Sequence, residues 1–150
     1  MSRSRPDAFR FPLLLAASLL VLACASQPQE RGVAIGEQVT LRAVESITVE
    51  PRNVVLQFAE VISDSRCPED VTCVWEGDAE VSVRAVAADG TSSDLRLHTK
   101  DGGTQAEFAG LAVRLLKLEP RPRAGVSPLQ GDYVLTIEID ATRLSMSSRA

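Results

Sequence analysis

The sequence predicts an all-β protein, an antiparallel β-sandwich (Ig-like) or barrel of about seven or eight strands, and three observations carry that reading. Apolar residues recur two apart with polar ones between them, turn-forming residues interrupt the pattern every eight to twelve positions, and no stretch past residue 38 offers a long amphipathic helix. A period of two puts one face of each segment against a core and the other in water. At 150 residues and 45% hydrophobic, the chain holds enough apolar material for one such domain and is too short for two.

The elements follow in order. Val39/Leu41 and Ile47/Val49 open the pattern as short pairs, and Val54/Leu56/Phe58 lengthens it beyond the break at Pro51-Arg52-Asn53. Ala79/Val81/Val83/Ala85 is a run of four, closed by the turn residues of "ADGTSS", positions 88–93. Leu95/Leu97 comes next and ends at Asp101-Gly102-Gly103. In Leu111/Val113/Leu115 the phase slips to Leu116 and Leu118, which a bulge explains better than a helix, given Val113, the preceding Ala109-Gly110 and the terminal Pro120. Beyond the Pro-rich "PRPRAGVSPLQGD", Tyr133/Leu135/Ile137/Ile139 completes the set. The expected domain spans 39–141, with 142–150 as a disordered tail.

The first 23 residues do not belong to that domain. Three arginines against one aspartate precede "FPLLLAASLLVLA", an apolar run of the length of a secretory signal and too short to span a bilayer. The run closes in Val21-Leu22-Ala23-Cys24, which resembles the lipobox of bacterial lipoproteins, with Val where Leu is favoured. The resemblance implies cleavage before Cys24, a diacylglyceryl group on its thiol and an acyl chain such as palmitate on its amine. Several chains together anchor stably where one does not. Ala25 after the cysteine fits an outer-membrane destination, and residues 24–38, rich in Gln, Pro and charge, read as a tether. The protein is then expected at the cell membrane or outer membrane, facing periplasm or exterior.

Loss of the signal takes three arginines and one aspartate with it, so the formal net charge moves from −4 to −6. That surface favours solubility and gives nucleic acid nothing to bind.

Residues 64–78, "DSRCPEDVTCVWEGD", concentrate the chemistry: two of three cysteines, the only tryptophan and five carboxylates. Cys67 and Cys73 have five residues between them, which suits neither a zinc pair nor a Cys-x-x-Cys redox motif, and the lone His98 falls on the polar phase of its strand. In an oxidising compartment they read most simply as a disulfide. If Cys73 and Trp75 share a strand with Ala79 and Val81, Trp75 projects inward and anchors the loop on the core; an exposed Trp75 acting as a binding hot spot is the competing reading. Gly77 suggests a bulge or a close backbone approach, and Asp64 is placed to accept from the amides of Arg66 or Cys67 in an Asx-turn. Arg66, Pro68, Glu69, Asp70, Val71, Glu76 and Asp78 form the candidate binding loop. With Arg66 as their one neighbouring base, the carboxylates from Asp64 to Glu80 read as solvated surface charge, with calcium as the alternative, though the spacing is not that of an EF-hand.

Asp64-Ser65-Arg66-Cys67-Pro68 followed by Cys73, Trp75 and Gly77 resembles a signature of small, largely uncharacterised bacterial lipoproteins and secreted proteins, the similarity running from about Val39 to Asp140 through "LEPRP" and "GDYVLTIEI". Relatives often carry Ala where this chain has Glu76. The resemblance implies a secreted β-rich domain with a cystine loop and no particular reaction.

No nucleophile motif, phosphate loop or zinc-protease motif occurs, so no catalytic residue, metal or cofactor is expected. The function expected is a lipid-anchored, non-catalytic binding or structural module whose partner is an envelope protein or polysaccharide. The alternatives are a small inhibitor of secreted proteases presenting the loop 67–73, or a calcium-dependent adhesion module.

Overall fold

A computed structural model describes residues 31–100 and 102–142; the expected signal peptide, the lipidation expected at Cys24 and nearly all of the expected tail at 142–150 lie outside them. Nine strands follow one another: β1 (Arg31–Ala34), β2 (Gln38–Arg42), β3 (Ser46–Glu50), β4 (Val54–Asp64), β5 (Ala79–Val86), β6 (Ser92–His98), β7 (Gln105–Phe108), β8 (Leu111–Glu119) and β9 (Val134–Ala141). They form a β-sandwich of two sheets, one ordered β1-β3-β4-β5-β6 and the other β2-β9-β8-β7. Every pairing is antiparallel except β1 with β3, where Arg31 lies beside Ile47 and Ala34 beside Glu50.

All seven alternating segments are strands, and their apolar phase faces inward. Leu41, Ile47, Leu56, Phe58, Val81, Leu97, Leu111, Leu135, Ile137 and Ile139 form the centre of one continuous core. The slip in β8 is a bulge: the register against β9 shifts between Leu115 and Lys117, which returns Leu118 to the inside. Ala109 and Gly110 close the β7–β8 hairpin with φ of 48° and 75°, the two consecutive positive values of a type I′ turn.

Two strands depart from the expectation. β1 lies inside the segment read as a tether, and β2 starts at Gln38, so the folded body begins before Val39. β1 inserts Val33 into the core, and the chain then turns at Gly36 to cross to the other sheet. β7 alternates over only two apolar residues, Ala106 and Phe108, both packed at the margin of the core, and is not among the expected strands. Both are four-residue edge strands, covered on one side only.

Candidate functional site

Beyond Asp64 and before Ala79 the β4–β5 ladder continues as a narrow stem. The Ser65 N–H donates to the Asp78 carbonyl (2.7 Å) and the Cys67 N–H to the Glu76 carbonyl (2.8 Å). Cys67 and Cys73 close the tip as a disulfide, their Cα atoms 5.9 Å apart. Gly77 is the close approach that lets the stem form: its φ is +68°, and a Cβ there would stand 1.8 Å from the Ser65 carbonyl oxygen.

Arg66 sits at the base of the stem and is buried, with 7% of its surface exposed. Its Nε donates to Asp64 Oδ1 (2.9 Å) and its Nη2 to Asp64 Oδ2 (2.6 Å). Nη1 donates to the Leu118 carbonyl and Nη2 to that of Pro120 (2.7 Å). Asp64 Oδ1 also accepts the Arg66 N–H (3.1 Å), the expected Asx-turn, and Oδ2 accepts the Tyr133 hydroxyl (3.0 Å). Burial pushes the Asp64 carboxyl up, but the hydrogen bonds and charge of Arg66, with the Tyr133 hydroxyl, outweigh it and hold the carboxyl below its ordinary value. The same burial, with the carboxylate beside it, pushes the Tyr133 phenol up to about 12. Arg66 is thus a fastener between the stem and the β8–β9 connection, not a member of the binding loop as the sequence suggested.

Four further carboxylates of this region are also engaged, while Glu76 is exposed. Arg123 donates to Glu69 (2.6 Å), the Ala124 N–H to Asp70 (2.8 Å), and Arg96 to Glu80 (2.7 Å). Asp78 accepts from the Thr99 hydroxyl (2.9 Å) and the Lys100 N–H (3.0 Å), and lies 2.7 Å from His98 Nδ1. Burial raises the Asp78 carboxyl, while the bonds from His98, Thr99 and Lys100 bring it below its ordinary value. Glu69, Asp70 and Glu76 are exposed as expected, but Arg66 is not the base that serves the region: Glu69, Asp70, Asp78 and Glu80 meet bases and amides distant in sequence. Among the described residues no three His, Cys, Asp or Glu side chains come together as a cation site.

Trp75 reverses the expectation. Residues 73–78 are not strand, so the inward phase of β5 does not extend back to it, and the indole is 82% exposed. Val74 is 90% exposed beside it, and Val71 is also bare. A shallow cleft of about 280 Å³ opens at the stem base between Arg66, Thr99 and residues 115–119. A second, of about 250 Å³, is lined by Trp75, Val71, the cystine, Glu76 and Arg121. Pro68 is half-buried at the start of the loop, and its carbonyl accepts the Val71 N–H (3.4 Å). What the arrangement offers is a stiff apolar tip carried on a stem with fixed roots. Sequence reasoning missed Arg121, Arg123 and Tyr133 as site residues, all supplied from more than forty residues along the chain. In comparisons with known proteins, no family model, no curated protein and no solved structure matches this chain.

Proposed function

We propose that the protein is a lipid-anchored cell-envelope module, held at a membrane through Cys24 and acting by contact, not catalysis, with the cystine-loop end of the sandwich as its contact surface. The observation that carries this reading is the exposure of Trp75 and Val74 on a stem that a disulfide, a buried ion pair and cross-loop bonds have already ordered. A soluble domain gains nothing by leaving its one indole in water, whereas an ordered loop keeps the entropy cost of docking low. The lipobox-like ending of the N-terminal apolar run supplies the anchor.

The inhibitor reading has the bare Val71 in its favour. Against it, the loop backbone is already engaged: the Glu69 N–H donates to the Pro122 carbonyl (3.0 Å), and residues 68–71 are folded into a turn. A protease cleft needs that backbone extended and free.

Metabolic labelling with palmitate and membrane fractionation test the proposal. The wild-type chain should carry label and sediment with membranes, Cys24→Ser should do neither, and Val74→Asp should leave both unchanged. An unlabelled wild-type chain in the soluble fraction would overturn it.

A further inference from the structure

The exposed apolar residues are not scattered. Of the eight large hydrophobics exposed among the described residues, six stand on three connections at one end of the sandwich. Val44 is on the β2–β3 turn, Val71, Val74 and Trp75 are on the cystine stem, and Val126 and Leu129 are on the β8–β9 connection. The stem and the β8–β9 connection are stitched together by Glu69 with Arg123 and Asp70 with the Ala124 amide, so their apolar residues form one surface. The turns at the opposite end, around Gly36, Pro51, Asp89 and Gly110, carry none of the eight.

The chain enters from the apolar end. β1 runs parallel to β3, so its start points toward that end: Arg31 lies beside Ile47, three residues after Val44, and across β3 it is level with Leu56, eight residues before the root of the stem at Asp64. Seven residue steps separate Cys24 from Arg31, a reach of at most about 25 Å even when fully extended. Resting on the lipid anchor proposed above, we infer that this end faces the membrane that holds the anchor, with Trp75, Val74 and Leu129 seated at the boundary of head groups and acyl chains. An indole is suited to that depth, because its ring is apolar and its N–H still finds a polar partner. The tether makes the contact intramolecular, so a weak apolar insertion is enough to orient the body. Carboxylates outnumber bases on these connections, so the surface selects zwitterionic over anionic lipid.

The test uses the full lipidated chain, in which Trp75 is the sole tryptophan. In phosphatidylcholine vesicles its emission should shift to shorter wavelength relative to the chain in buffer with Cys24→Ser, and brominated acyl chains should quench it. Val74→Asp with Leu129→Asp should abolish both effects while the chain still floats with the vesicles. Adding phosphatidylglycerol should weaken the shift, and salt should restore it. A chain that floats with unchanged emission overturns this orientation and leaves the anchor standing. A chain that does not float overturns both. A shift that needs no lipid and grows with protein concentration assigns the surface to a second copy instead.

Discussion

Arg66 and Asp64, two residues apart, meet as a two-pronged ion pair with their side chains 7% and 6% exposed, and the guanidinium left over reaches the carbonyls of Leu118 and Pro120. A buried pair of this kind is weak evidence of net stabilisation, but breaking it from one side strands a charge. Asp64→Asn keeps the shape and removes the counter-ion, and it should lower stability by about 3 kcal/mol. Arg66→Met should cost a similar amount. Urea denaturation reads both, and a change below about 0.5 kcal/mol, the range of ordinary surface substitutions, would show that the pair is not the fastener.

Acid should act through the same carboxyl. The Asp64 pKa is lowered in the folded chain, so its contribution is present above the unfolded value near 3.9 and is lost as pH falls through the lower, folded value. Asp78 is shifted the same way and adds to the effect. Wild-type stability should therefore decline below about pH 4, and Asp64→Asn should flatten part of that decline. Denaturation midpoints measured from pH 5 downward check this.

Tyr133 carries the opposite sign. Its folded pKa is raised to about 12, so its contribution is complete below the ordinary phenol value and is lost as pH rises through the folded one. The chain has a single tyrosine, so phenolate absorbance reports this group alone. The folded protein should titrate near 12, and Asp64→Asn should move the midpoint down, since it removes the negative charge beside the phenol. A midpoint near 10, the ordinary phenol value, would place the hydroxyl in water.

The core was legible because each central strand keeps its period over three or more residues, and the bulge in β8 was legible because a slipped phase has few other causes in a strand. β1 and β7 were not, since RGVA puts a single residue into the core and QAEF alternates over only two half-buried ones, Ala106 and Phe108. The Asx-turn at Asp64 is local and readable. The role of Arg66 is not, because its partners at Leu118, Pro120 and Tyr133 arrive from another part of the chain. Trp75 was misread because a strand phase was carried backward through Gly77, whose positive φ breaks it.

The disulfide should matter to the body less than the ion pair does. Closing a seven-residue loop contributes about 2.4 kcal/mol in the chain-entropy account. Cys67→Ser with Cys73→Ser should lower the urea midpoint accordingly and leave the far-ultraviolet circular dichroism unchanged, because the core contains neither cysteine. Loss of the β spectrum would show that the cystine holds the sandwich and not merely its tip.

Trp75 and Gly77, two positions apart, should respond in opposite ways to the same replacement. Trp75→Ala removes a ring that is 82% exposed, so its effect on stability should stay within about 0.5 kcal/mol. A buried indole would cost about 3–5 kcal/mol. Gly77→Ala adds only a methyl, but at a φ of +68° and against the Ser65 carbonyl, where backbone stands on both sides and neither can swing away. The stem has to open there, losing the Cys67 and Ser65 bonds that align it, at a cost of about 2 kcal/mol or more. Paired denaturation curves decide the matter: if the alanine at 75 is the more damaging of the two, the indole belongs to the core and the apolar tip does not exist.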